Sequence, residues 1–318
     1  MPDSYIVYLE DVTIDTKTQV FTAIQLIYGI PSLIMMISTF ILISTRKTYA
    51  NSFYCLVRFD LLTNTCVYLN TWIAIRLEMH PDMVFLLRTI ESFFPGSLTI
   101  FKYIPYFFFH MHFWTSALLT AHRLSSVLII HRYEFFWSSW RCRTIIFLTI
   151  CICSHLPKYL WHGWLYEVYI VNDRLICINF PSALKQGYNV VAFFSIIYAC
   201  TNITMGLLTA FLVAVKYENS LANKSNTNVS RKLTKISMAY CIAYTSEVMW
   251  SVLNSANSYF NFLPDFIVEI NTNLLVFASD AFTLSLPYIL LIFDSNIKRD
   301  LFRKKQESGT GTLVVISN

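Results

Sequence analysis

Apolar residues along this chain come in blocks far longer than the stripe of a soluble helix. Residues 20–44, VFTAIQLIYGIPSLIMMISTFILIS, run for twenty-five positions without a charge, enough to cross a bilayer core with some tilt. Comparable blocks follow at 52–75, 98–130, 144–164, 188–215, 236–257 and 268–293, with polar, charge-bearing segments between them. Backbone amides in hydrocarbon must be satisfied within their own segment. The pattern therefore predicts an all-α fold, a seven-transmembrane helix bundle over 20–293. Residues 1–19 form a polar, acidic N-terminal tail without the pattern of a signal peptide, so the first apolar block is expected to act as the insertion signal. Over 294–318, DSNIKRDLFRKK reads as a short amphipathic helix on the membrane surface followed by a free tail.

The third block is the longest and most aromatic. From Leu98 it reads LTIFKYIPYFFFHMHFWTSALLTAHRLSSVLII, with only Lys102, His110 and His112 as ionisable interruptions before His122-Arg123. It leads into HRYEFFW, a basic segment ending at Trp137. Tyr103, Tyr106, Phe107, Phe108, Phe109, Phe113 and Trp114 fall in its first half. Such a stripe serves as packing and interface belt. It also suits a ligand cavity lined by apolar rings, with Tyr106 and His110 as candidates and a volatile or poorly soluble molecule as the ligand.

Charge sets the orientation. Seven spans put the termini on opposite sides, and lysine and arginine collect in cytoplasmic loops. The first, third and fifth connectors with the C-tail hold sixteen of them, Arg123 included, against six in the N-tail and remaining connectors, where Arg76 is counted. The N-terminus is expected outside and the C-terminus in the cytoplasm. The chain is 55% hydrophobic and 14% charged, with a mean hydropathy of +0.51. Soluble domains carry about 25% charged residues, so lipid is the expected solvent. A net charge of +5 spread between apolar blocks gives no nucleic-acid face.

An ion near the bilayer centre costs about 2.5–3.5 kcal/mol on insertion scales. Arg58, Asp60, Lys158, Glu247 and Asp280 bear that cost. Each either takes part in a polar network or ligand contact, or is a group satisfied inside the bundle. Asn273, Asp280 and Pro287 recur every seven residues and so share one face of the last helix. Pro287 frees a backbone carbonyl beside that face and makes a hinge. Asp60, Asn64 and Thr71 share a face of the second helix, which is expected to meet it. Glu247 and Asn273 join the ligand-pocket candidates. His155, Lys158 and His162 share a face of the fourth helix, where Lys158 is expected to reach the interface. Arg123 reads either as an interface arginine or as a latch holding the cytoplasmic helix ends together.

No GxSxG, HExxH or glycine-rich phosphate loop occurs. The eight cysteines form no CxxC pair. The chain is therefore not expected to be an enzyme or to hold a metal or cofactor, and the last helix contains no lysine to anchor retinal. Asn223-Lys-Ser and Asn228-Val-Ser lie in a segment expected inside the cell, so glycosylation there would invert the topology.

The segment HRLSSVLIIHRYEFFW, with Arg123, Ser125, Ser126, Tyr133, Glu134 and Trp137, resembles the end of helix three in nematode serpentine receptors of class gamma (Srg). IPSLIMM around Pro31, Ser52-Phe53-Tyr54, and SDAFTLSLPYILLIFDSNIKRD fit the same pattern, so the likeness covers nearly the whole chain. The resemblance implies a GPCR-like chemoreceptor in the plasma membrane of sensory neurons or their cilia. Its implied partners are a small-molecule ligand, a heterotrimeric G protein, the bilayer and a receptor oligomer. By that likeness Arg123 stands where rhodopsin-like receptors keep the arginine of Asp-Arg-Tyr, but His122 and Leu124 flank it here. Leu286-Pro287-Tyr288 loosely resembles Asn-Pro-x-x-Tyr, which makes Pro287 and Tyr288 switch candidates beside Asp60, Asp280 and Arg123. No cysteine opens helix three, so the usual bridge to the second outer loop cannot form and Cys177 is left as a free or intermolecular thiol. The rival reading, from the intramembrane carboxylates Asp60, Glu247 and Asp280, is an ion channel or transporter subunit; a scaffold that traffics other receptors is a third.

Overall fold

A computed structural model describes residues 5–11, 15–129, 133–159, 166–218 and 224–302. The apolar blocks become helices because each is long, poor in glycine and bounded by polar residues. Helix α1 is Thr16–Thr45, with Pro31 inside it. Helix α2 is Ser52–Thr71; Asn51 caps it by accepting the Tyr54 amide, and a π-helical turn, Trp72–Arg76, extends it. Helices α3, Val84–Phe93, and α4, Ser97–Leu128, follow. Then come α5, Tyr133–Ser138, and α6, Trp140–Tyr159. Helices α7, Pro181–Glu218, and α8, Lys224–Phe260, are the longest. The chain closes with α9, Asp265–Glu269, α10, Asn271–Thr283, α11, Ser285–Phe293, and α12, Ser295–Phe302.

The mostly helical architecture agrees with the pattern, with one correction to an all-α chain. Strands β1, Tyr5–Tyr8, β2, Tyr166–Val171, and β3, Arg174–Asn179, form an antiparallel sheet in the order β1-β3-β2. The tight link between β2 and β3 is Asn172-Asp173, both at positive φ (50° and 62°). That is the backbone a type I′ hairpin turn demands, and these residue types tolerate it. The sheet covers one end of the bundle: Val168, Leu175 and Cys177 pack with Leu9, Val84, Leu87 and Leu98. Burial pushes the Cys177 thiol above its ordinary value, and all eight cysteines are unbridged.

By length and composition, Thr16–Thr45, Pro181–Val215 and Asn271–Phe293 can cross a membrane, and the pair Pro81–Phe93 and Ser97–Leu128, bent by 102°, adds a fourth such segment among the described residues. Helices α2 and α8 are more polar because their polar residues face protein: Asp60, Asn64 and Asn70 on the first, Glu247, Ser251 and Asn254 on the second, are all buried. Helix α4 is the hub and packs on α2, α6, α7 and α8. Its sharp start has a physical cause. Gly96 turns the chain at φ 85°, a conformation costly for other residues. Buried Glu91 then accepts the Gly96 amide at 2.5 Å and the Leu98 amide at 2.9 Å, satisfying orphan donors at the helix start and adding a negative charge where the dipole favours one.

Candidate functional site

Three layers of buried polar residues run along the bundle axis. Nearest the sheet, Arg76 and Asp280 form an ion pair at 2.5 Å, 1% and 3% exposed. The Arg76 guanidinium also donates to Thr71 at 3.0 Å and lies 4.9 and 4.8 Å from the centroids of the Tyr68 and Trp72 rings. The other Asp280 oxygen accepts from the Tyr28 hydroxyl at 2.5 Å. A charge buried this deeply is tolerable only when paired and hydrogen-bonded, and both partners meet that condition. The π turn makes the pair possible. Residues five apart on an α-helix point about 140° apart, whereas the i to i+5 closure, Leu77 amide to Trp72 carbonyl, swings Arg76 inward beside Thr71.

The middle layer joins α2, α4, α7, α8 and α10. Asp60 accepts from Thr115 at 2.5 Å and from the Asn64 amide at 3.3 Å. Phe113 sits 3.9 Å from Tyr244 and 4.9 Å from Tyr198, centroid to centroid. His110 Nδ1 lies 3.3 Å from the Tyr198 hydroxyl, and Ser279 hydrogen-bonds to Glu247. His110 and Glu247 each lie thirteen residues from the sheet end of their helices, 97 to 110 and 247 to 260, about 20 Å along the axis. His110 Nε2 and Glu247 Oε2 are buried without a hydrogen-bond partner, as is Asn273 Oδ1, about two turns nearer the sheet than Asp280 on α10. An unsatisfied buried polar atom costs about 1–3 kcal/mol.

The third layer lies at the opposite end. Arg123, 6% exposed, places its guanidinium 3.7 Å from the centroid of the Phe53 ring. His122 Nε2 meets Ser52 Oγ at 2.9 Å, and its ring packs against Trp137 and Tyr133. Trp137 in turn donates to Ser125 at 2.8 Å. Helix α5 therefore clamps onto the ends of α4 and α2 through Tyr133 and Trp137; the Glu134 side chain and residues 130–132 lie outside the described residues. Tyr54 donates a short hydrogen bond to Asp294, which also caps α12 by accepting the Asn296 amide at 3.0 Å. Tyr49 donates to Asp300 at 3.0 Å, and Arg46 pairs with it at 3.1 Å. Burial opposes ionisation of Asp300, but the Tyr49 hydroxyl and the Arg46 and Arg299 charges outweigh it and hold the carboxyl below its ordinary value.

The residues singled out by sequence thus fall into different layers. Asp280 and Asn273 share the buried face of α10, but the partner of Asp280 is Arg76. Asp60 bonds to Thr115 instead, and from its face of α2 it is Thr71 that reaches the Asp280 centre, through Arg76. Pro287 is buried, and the Tyr288 hydroxyl lies 2.7 Å from Ser32 on α1. Tyr106 is half-buried. His155 meets Tyr103 at 3.0 Å; the side chains of Lys158, His162, Asn223 and Asn228 lie outside the described residues. Arg76 escaped the sequence reading because it closes an apolar block and looks like a connector cation. Its neighbour Tyr68 and the α1 residue Tyr28 carry no signal of their own.

The sequence model for the Srg family chemoreceptors matches residues 22–301. Two Caenorhabditis elegans proteins are similar over nearly their full length. Serpentine receptor class gamma-47 is 29% identical over 293 residues, 92% of this chain and 94% of the relative. Serpentine receptor class gamma-53 is 29% identical over 280 residues, 87% of this chain and 89% of the relative.

Proposed function

The chain belongs to the Srg family of chemoreceptors, and from that premise we propose that it is a seven-span plasma-membrane receptor of sensory neurons, with its sheet end outside and α12 in the cytoplasm. A small-molecule cue binds in the outer half among α4, α7, α8 and α10, where it meets His110, Glu247 and Asn273. Binding favours an arrangement in which the opposite end opens, and a heterotrimeric G protein docks there around Arg123 and the adjacent basic segments. A ligand shifts that balance only by binding one arrangement more tightly than the other.

The observation that carries this reading is the pair of buried, unpartnered atoms His110 Nε2 and Glu247 Oε2, on helices whose Phe113 and Tyr244 rings pack together beside Tyr198. The ring stack supports an apolar ligand, and the polar atoms support one bearing a hydroxyl, carbonyl or amine. Placement of Arg123 at the far end of the same hub helix links the two events through one rigid element. The receptor reading also accounts for the absence of enzyme motifs.

The test is a calcium or second-messenger readout in cells expressing the full chain against a panel of volatile and soluble cues. A responsive cue should lose potency about tenfold or more in His110→Ala and Glu247→Gln, and Arg123→Ala should change basal signalling at equal surface expression. Silence across the panel together with unchanged basal signalling in Arg123→Ala sinks the proposal. Current or substrate flux through the purified protein in liposomes would favour a channel or transporter subunit instead.

A further inference from the structure

A cavity lies away from the hub helix, on the flank of the bundle. It is a cleft of about 390 Å³ between α1 and α10–α11, lined by Tyr28, Ser32, Phe277, Asp280, Ala281, Leu284, Ser285 and Tyr288. That volume falls within the roughly 300–1,000 Å³ of small-molecule sites. Both walls belong to helices apolar enough to cross a membrane. Ile24, one turn before Tyr28, and Ile292, one turn beyond Tyr288, are 42% and 72% exposed. Residues four apart share a helix face, so the lips of the cleft are aliphatic and its mouth faces hydrocarbon.

We infer that this cleft is a binding site for a neutral, hydroxyl-bearing lipid that enters sideways from the bilayer. The walls select the head group. Asp280 is already balanced by Arg76 and accepts from Tyr28, so a cationic head group finds no net negative charge. An anionic one finds no cation among the described lining residues, and in hydrocarbon it bears the full cost of its charge. What remains is the hydroxyl pair Ser32–Tyr288, 2.7 Å apart, with Ser285 beside it. Ser32 spends its proton on the Tyr28 carbonyl and accepts from Tyr288, so the pair keeps free lone pairs, and a lipid alcohol joins it by donating its own hydroxyl proton. Phe277, Ala281 and Leu284 supply the apolar wall for its chain. The site is independent of the identity of the chemosensory ligand, since it lies on the bundle flank and its test reads no signal.

The experiment uses the full chain purified into phosphatidylcholine nanodiscs, with a long-chain fatty alcohol carrying a diazirine as the probe. Photolabelled peptides should come from the Tyr28–Ser32 and Phe277–Tyr288 segments. Unlabelled fatty alcohol should compete, whereas the fatty acid and the alkyl trimethylammonium of equal chain length should not. Ala281 is exposed in the cleft, so Ala281→Phe fills the cavity without entering the core and should cut labelling about tenfold at an unchanged melting temperature. The Ser32→Ala, Tyr288→Phe double variant should cut it severalfold while leaving the cavity open. Labelling spread evenly onto exposed Leu207 and Phe211 of α7, or undiminished in the Ala281→Phe protein, overturns the site. Equal competition by the acid or the ammonium overturns the head-group assignment, and that series on the unaltered protein needs no variant to fold.

Discussion

The two ends of this bundle are held by different chemistry. At the sheet end the ties are opposite charges drawn from many elements. Arg76 pairs with Asp280 across α2 and α10, Lys102 with Glu78, and Arg174 with Asp11, while Glu91 caps α4. The hairpin, the N-terminal strand and α3 add a small apolar core of their own. At the opposite end tyrosine hydroxyls meet carboxylates, helped by one ion pair, and they converge on one short helix: Tyr54 with Asp294, and Tyr49 and Arg46 with Asp300. Ties distributed over many elements, with the Arg76–Asp280 pair fully buried among them, resist being parted one at a time, whereas ties gathered on an eight-residue helix let go together. The contrast suits a molecule whose sheet end is fixed and whose opposite end changes partners.

The largest effect is expected where the sheet end is deepest. Arg76→Ala leaves the Asp280 carboxylate buried without its cation and should cost about 3–5 kcal/mol, seen as lost surface expression and a lower melting temperature in detergent. The double change Arg76→Leu, Asp280→Leu should recover much of that loss. If it does not, the pair acts through more than its own charges. Next, Tyr54→Phe removes a hydrogen bond to a carboxylate, worth about 1.5–3 kcal/mol. Its signature should be local: faster proteolysis after Phe302 with little change in global melting. Gly29→Ala puts a methyl group onto the Tyr68 hydroxyl where α1 crosses α2. Overpacking of that kind costs about 1–3 kcal/mol, and it should shift melting through the sheet end alone. The smallest effect is that of pH on Asp300. Its carboxyl is held below the ordinary value, so the tie is complete above the ordinary carboxylate range and is lost as pH falls through the depressed value. Spin or fluorescence labels on α12 should report release on acidification, and Asp300→Asn should flatten that response.

Periodicity and charge made the helices legible, since each long apolar block has only one way to satisfy its backbone in lipid. The shared face of Asn273 and Asp280 was also legible, because spacing along one helix is a local property, whereas the docking of Trp137 on His122 and Ser125 was not read from the sequence. The hairpin was less so. Its signal, YEVYIV-ND-RLICIN, is an alternating run around a two-residue turn, hidden between stronger apolar blocks. The Arg76–Asp280 pair was not legible at all. It depends on one extra residue in one helical turn, which rotates a side chain from the surface to the interior, and no pattern of residue types announces that insertion.

The edge strand carries a consequence for how the chain is made. Tyr5 pairs with Asn179 and Tyr8 with Ile176, so the opening residues find their place only after more than half the polypeptide has emerged from the ribosome. Until then the N-terminal strand waits unpaired at the mouth of a half-built bundle. Its docking waits on β3 rather than on its own neighbours, and a bulky fusion immediately ahead of Tyr5 would hold the sheet open at its edge.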